Sequence, residues 1–185
     1  MNITAMYFSG TGTTKKVTAA IADELTEIKI SQDKTAADEN PGSIKAGIKP
    51  WQRAEDVDFT PPAARREIYR FTPDDLVVFG VPVIAGRVPN VLLKFLDTLQ
   101  GGGALAVPVV LYGNRNFDDA LIELRNILQD RGFYAIGAAA FIGEHSFSRI
   151  LAAGRPDSSD MELSRDFAQK LAGKIRRLGA AGLRE

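Results

Sequence analysis

Ile3-Thr4-Ala5-Met6-Tyr7-Phe8 runs into Ser9-Gly10-Thr11-Gly12-Thr13-Thr14, and that turn opens onto Lys15-Lys16-Val17-Thr18-Ala19-Ala20-Ile21-Ala22-Asp23-Glu24-Leu25. The opening run is short, apolar and stopped by glycines, the pattern of a strand buried on both faces. In the closing run Val17, Ile21 and Leu25 recur four apart, with alanines filling the same side. That spacing predicts an amphipathic helix. The unit is strand, glycine turn, helix.

The same alternation continues outward. Leu76-Val77-Val78-Phe79-Gly80 reads as a second buried strand, introduced by the turn Thr72-Pro73-Asp74-Asp75. From Val88 to Leu99 the residues Val91, Leu92, Phe95, Leu96 and Leu99 keep helical spacing, and Pro89 suits the first turn because its missing N–H needs no partner there. Gly101-Gly102-Gly103 ends that element. Val107 to Tyr112 is a third strand. Asp118 to Gln129 is a helix with Leu121, Leu124 and Leu128 inward, stopped by Gly132. Phe133 to Ile142 is a fourth apolar run whose alanines leave its ends unmarked. Ser158 or Ser159 can cap a last helix carrying Met161, Leu163, Phe167, Leu171 and Ile175.

Strands and helices in strict alternation imply a parallel sheet covered on both faces, with right-handed crossovers. The expected fold is α/β, a doubly wound parallel five-stranded sheet. One domain over residues 1–185 is expected, with an insertion or irregular excursion at about 31–55. Two segments compete for the edge strand, Glu27-Ile28-Lys29-Ile30 and Asp56-Val57-Asp58-Phe59-Thr60. The second is preferred, because Pro61-Pro62-Ala63-Ala64-Arg65-Arg66 behind it can start a short crossover.

Composition narrows the function. The chain has 185 residues and no cysteine, which excludes disulfides, thiolate zinc sites, Cys-ligated iron–sulfur clusters and cysteine nucleophiles. A single histidine, His145, excludes a His-rich metal site. Basic and acidic residues balance at 23 each, so general attraction to nucleic acid or a membrane surface is not expected. No apolar run approaches the roughly 20 residues of a membrane helix, and the first residues lack the pattern of a signal peptide. A cytoplasmic protein is expected.

The turn at residues 9–14 carries the chemistry. Four hydroxyls and two glycines sit at a strand-to-helix junction. Glycines let the backbone approach an anion closely, and the free N–H groups and dipole of a helix N-terminus favour a phosphate. A P-loop needs Gly-x-x-x-x-Gly-Lys-Ser/Thr, and a dinucleotide fingerprint needs a third glycine where Lys15 stands; neither is present. A loop built on hydroxyls suits a terminal phosphate monoester. A plain helix-capping turn has the same composition.

Tyr7-Phe8-Ser9-Gly10-Thr11-Gly12-Thr13-Thr14 resembles the FMN phosphate loop of flavodoxins, where Ser/Thr-x-Thr-Gly-x-Thr follows the first strand. The resemblance extends to Gly80–Pro89, Tyr112–Asp118, Gly143-Glu144-His145-Ser146-Phe147 and Ala153-Gly154-Arg155-Pro156-Asp157. Together these are similar to the flavodoxin-like domain found alone or fused to bacterial-type ferredoxin modules. The resemblance implies FMN, with its phosphate on Ser9, Gly10, Thr11, Gly12, Thr13 and Thr14. It places the flavin ring between Pro82, Ile84, Ala85, Gly86 and Arg87 in one loop and Tyr112, Gly113, Asn114, Arg115, Phe117 and Asp118 in the other. In flavodoxins a peptide of the first loop flips toward reduced flavin N5; Ala85-Gly86 is the matching peptide here.

The chain departs from that pattern in two ways. Loop 80–89 offers Ile84 and Val88 where many flavodoxins carry aromatics, leaving Phe117 or Tyr112 to cover one face, with Phe117 reading equally as a core residue that starts the next helix. Typical flavodoxins are strongly acidic, whereas this chain is neutral and places Arg87 and Arg115 in the ring loops. Those cations predict a less negative potential for the reduced flavin. His145 reads as a hydrogen-bonded packing residue, and Asp157 can cap the last helix. The implied function is an FMN-binding electron-transfer protein, with an FMN-dependent NAD(P)H or quinone reductase of the same fold as the alternative. The implied partner is a separate redox protein, such as a ferredoxin or iron–sulfur oxidoreductase. No catalytic residue and no metal is assigned.

Overall fold

β1 (Asn2–Tyr7) pairs in parallel with β4 (Asp75–Pro82) along its whole length, from Asn2 opposite Asp75 to Tyr7 opposite Gly80. β4 pairs in turn with β5 (Leu105–Tyr112), from Leu76 opposite Leu105 to Pro82 opposite Leu111. These three central strands are the ones whose apolar runs are unbroken in the sequence. The computed structural model describes residues 1–39, 51–148 and 150–182.

Both edges are made of short pieces. β2 (Gln52–Arg53) and β3 (Val57–Asp58) pair with successive parts of β1, and β6 (Tyr134–Ala135) and β7 (Ala139–Ile142) with successive parts of β5. The sheet therefore has five strand positions in the order β2/β3, β1, β4, β5, β6/β7, all parallel. Among the described residues four α-helices cover it: α1 (Thr13–Glu39), α2 (Asn90–Leu96), α3 (Ala120–Asp130) and α4 (Ser158–Gly182).

The period-two alternation of each central strand assigns its side chains to two cores. Ile3, Ala5, Tyr7, Leu76, Val78, Val107 and Val109 pack under α1 and α4 with Val17, Ile21, Leu25, Leu171 and Ile175. Met6, Val77, Phe79, Val81, Ala106 and Val110 pack under α2 and α3 with Leu92, Phe95, Leu96, Leu124 and Leu128. Helices on both faces make the sheet doubly wound, as the sequence predicts.

The edge strand is where prediction and structure part. Glu27–Ile30 is not a strand; α1 runs on through it to Glu39, and Ile28 stays on the inward side one turn after Leu25. The preferred segment 56–60 does supply β3, joined by the shorter β2 upstream. Of the excursion at 31–55, residues 31–39 continue α1, and Trp51 is buried in the core beneath α1 and α4. The remainder, 40–50, lies outside the described residues. The last helix is capped by Asp157, whose Oδ1 accepts the N–H groups of Ser159 and Asp160 at 2.9 and 3.1 Å. No helix among the described residues is long and apolar enough to cross a membrane.

Candidate functional site

The turn between β1 and α1 is held from outside and left open within. Ser9 N–H donates to Thr60 Oγ1 at 2.8 Å, and Ser9 Oγ accepts the Lys15 N–H at 3.0 Å as the cap of α1. Lys16 N–H bonds the Gly12 carbonyl at 3.0 Å. The backbone N–H groups of Gly10, Thr11, Gly12, Thr13 and Thr14 donate to no protein acceptor among the described residues. Gly12 has φ +86°, a conformation that turns successive N–H groups toward one point. A Cβ built at Gly10 or Gly12 meets nothing within 4 Å. Thr11 and Thr13 bring their hydroxyl oxygens 3.2 Å apart at the same mouth. Beneath it, burial first and Asp56 second push the Tyr7 hydroxyl above its ordinary pKa, so it stays a neutral neighbour.

Three further loops complete a cleft above this turn. After β4, Ile84 and Arg87 close a tight turn with N–H to carbonyl bonds of 3.0 and 3.1 Å, and Ala85 and Gly86 have φ +52° and +75°. That is the two-residue turn with positive φ at both centres, and it explains glycine at position 86. A Cβ there would also overlap the Asp118 carboxylate. The Gly86 carbonyl accepts the Asp119 N–H at 3.1 Å, so the loop after β5 is latched onto this tip. After β7, Gly143 N–H bonds the Tyr112 carbonyl at 2.9 Å and carries residues 143–147 to the same end of the sheet.

The inner part of the cleft, about 140 Å³, lies over Gly10, Thr11, Thr13 and Thr14 and is walled by Pro82, Ile84, Tyr112 and Gly113. The outer part, about 690 Å³, is bordered by Ile84, Ala85, Gly86, Tyr112, Gly113, Arg115 and Asp118. Ile84, Tyr112 and Gly113 border both parts, so the glycine turn and the wider opening are continuous.

Not every expected residue joins this lining. Ser9 and Gly12 shape the turn from behind. Asn114 has φ +57° and is exposed beside the cleft. Phe117 packs among the residues under α2 and α3, with its ring 5.4 Å from that of Tyr112, which leaves Tyr112 as the expected aromatic that meets the cleft. Arg87 is turned to the opposite side of its loop. There it pairs with Glu123 and borders a separate open groove of about 490 Å³ between α2 and α3. Of the two arginines expected in these loops, Arg115 borders the cleft and Arg87 does not.

The structure adds a wall whose residues the sequence analysis did not place in the site. Glu144 and Ser146 border the inner cleft, and Asn116, His145, Ser146 and Phe147 the outer one. Phe147 is 95% exposed, unusual for an aromatic of that size. The segment Gly143–Phe147 is visible in the sequence, but its place opposite Gly86 follows from β7 pairing with β5, a tertiary fact.

No protein-family model matches the chain, and no curated protein matches its sequence. Solved structures do match. A flavodoxin from the domain Archaea covers 95% of this chain and 99% of its own, with TM-score 0.57 and 14% identity. A Streptococcus pneumonia TIGR4 flavodoxin covers 95% and 100%, with TM-score 0.55 and 15% identity. An NADH:FMN oxidoreductase in its apo form covers 94% and 89%, with TM-score 0.58 and 16% identity.

The chain has the flavodoxin-like fold. In this flavodoxin-like sheet the chain passes from β1 to β2 and β3 on one side and then to β4 on the other, so strand order reverses between β1 and β4. The cleft stands at the carboxyl ends of those two strands and of β5, where open α/β sheets bind ligands.

Proposed function

We propose that this flavodoxin-like chain binds FMN and acts as an electron carrier between other proteins. The observation that supports this reading most directly is the turn of five unpartnered N–H groups, fringed by hydroxyls and opening into a cleft. The donor set fits a phosphate monoester, since it offers many donors, no carboxylate on the turn itself, and glycines that leave the approach clear. Gly10, Thr11, Thr13 and Thr14 would hold the phosphate, with Ser9 and Gly12 fixing their geometry. Ile84, Ala85, Gly86, Tyr112, Gly113, Arg115 and Asp118 would border the ring. FMN supplies the redox chemistry when bound; the protein supplies anchorage, polarity around the ring, and access.

The residues then divide the work. Tyr112 and Ile84 offer apolar surface to a planar ring, and the latch from Asp119 to Gly86 fixes the loop beside it. Arg115 offers a cation near the cleft, which favours a ligand that gains negative charge on reduction. A separate redox protein exchanges electrons with the carrier. A Cys-ligated iron–sulfur centre, where one takes part, belongs to that partner, because this chain has no cysteine.

A reductase that takes hydride from a nicotinamide is the second reading. It draws on the width of the outer cleft, about 690 Å³, which lies within the usual range of small-molecule pockets, about 300–1,000 Å³. The test is to load the protein with FMN, desalt, and add NADH or NADPH without oxygen. A carrier keeps its visible flavin absorbance; bleaching by either nucleotide alone makes the chain a reductase.

A further inference from the structure

His145 is the single histidine of the chain and stands in the wall of the outer cleft. Its Nδ1 accepts two backbone N–H bonds, from Phe147 and from Ser148, each 3.1 Å long. Two donors aimed at one ring nitrogen require a lone pair there, so the neutral imidazole carries its proton on Nε2. The neighbouring edge is also occupied: a Cβ built at Gly113 would stand 2.6 Å from His145 Cδ2 and 2.9 Å from Cγ. With Nδ1 turned into its own 145–148 turn and Cδ2 set against Gly113, the atoms left to line the cleft are Cε1 and Nε2. Nε2 has no partner among the described residues. It is not sealed away either, since no buried side-chain nitrogen or oxygen there lacks a partner.

We infer that His145 is a fixed hydrogen-bond donor to the ligand of the cleft, offering Nε2–H to an acceptor atom of the flavin ring. This rests on the FMN reading above. The two backbone donors set the tautomer, and contact with Gly113 sets the ring's position, so the donor is in place before the ligand arrives. Hydrogen bonds strengthen when the acceptor gains negative charge. The donor therefore favours the reduced ring over the oxidised one.

Two substitutions separate this role from simple support of the turn. His145→Asn keeps an acceptor near the position of Nδ1 and removes the distal donor. His145→Gln places an amide N–H near the position of Nε2 and gives up the turn's acceptor. A single histidine also makes its ring nitrogens directly readable by NMR on the full chain labelled with ¹⁵N-histidine. The expected spectrum of the protein without FMN is that of the Nε2–H tautomer. On adding FMN the Nε2 resonance shifts and its proton becomes protected from exchange. His145→Asn keeps the wild-type fold by circular dichroism but binds FMN about tenfold more weakly, as expected for one lost hydrogen bond. His145→Gln recovers part of that loss. A proton on Nδ1, ring signals unmoved by bound FMN, or wild-type FMN affinity in His145→Asn each overturns the inference. If the wild type takes up no FMN, the functional reading falls and this one falls with it. If FMN binds while the histidine signals stay still, this one falls alone. The wild-type spectra decide the matter even where a variant does not fold.

Discussion

Glu123 accepts hydrogen bonds from Arg87 Nε at 3.0 Å and Arg87 Nη2 at 2.6 Å, while its Oε2 also takes the Val88 N–H at 2.8 Å. One carboxylate on α3 thus gathers a side chain and a backbone group from the loop after β4. The arrangement fixes that loop from behind and directs Arg87 toward α3 and away from the cleft. Arg115, which pairs with no carboxylate among the described residues, borders the cleft. Arg87→Gln should therefore leave the reduction potential of bound FMN unchanged and its affinity within about twofold of wild type. Arg115→Gln should make that potential more negative, since it removes a cation that favours the reduced anion. Spectroelectrochemical titration of both variants checks this; a larger shift from Arg87→Gln contradicts the placement of the two side chains.

Gly10 offers a way to block the proposed phosphate site without touching the core. A side chain there meets nothing in the protein and projects from the open turn that borders the inner cleft. Gly10→Val should keep the thermal midpoint within a few degrees and weaken FMN binding at least tenfold. Calorimetric unfolding and flavin fluorescence quenching on the same sample measure both. A variant that binds FMN normally removes the turn from the site.

Gly80 has the opposite character. A Cβ on it would overlap Thr18 Oγ1 and come within 3.0 Å of Thr14 Cγ2, both on α1. Thr18 is fully buried, and its hydroxyl donates to the Thr14 carbonyl at 2.8 Å, so the neighbour has little room to yield. Gly80→Ala should destabilise the fold by about 1–3 kcal/mol, the usual range for overpacking. Urea unfolding gives the value; a neutral substitution would mean that α1 sits farther from β4.

Two carboxylates set the acid limit of stability. The Arg155 guanidinium holds the buried Asp160 carboxyl below its usual pKa, and the Arg87 guanidinium does the same for Glu123. A pKa lowered in the folded state contributes stability that is present above the unfolded value, about 4, and is lost as pH falls through the folded one. The melting temperature should be level from pH 7 to about pH 5 and fall steeply below about pH 4. Asp160→Asn should lower it at pH 7 and flatten the acid limb. A fall that begins above pH 6 points to another group.

Much of this architecture is legible in the chain. The unbroken apolar runs of β1, β4 and β5 and the spacing of Val17, Ile21 and Leu25 carry local information sufficient to place the central sheet and α1. The edges are legible only in part: segment 56–60 supplies β3, but a strand of two residues such as Gln52–Arg53 has no period of its own and exists only as a partner of β1. Ile28 and Ile30 imitate a strand because β-branched residues favour one in isolation, yet α1 runs on through both, with Ile28 packed against the core. In the site, the turn at 9–14 announces itself by composition. The direction of Arg87 depends on Glu123, distant in sequence, and the role of His145 depends on which strand β7 joins.

The measurement that tests the account most directly is a paired titration of the protein with FMN and with riboflavin, which share a ring and differ by the phosphate. The account predicts that FMN binds at least 100-fold more tightly, about 2.7 kcal/mol, because several charge-assisted hydrogen bonds from residues 10–14 go to that phosphate alone. Equal affinities, or no binding of FMN at saturating concentration, would contradict it.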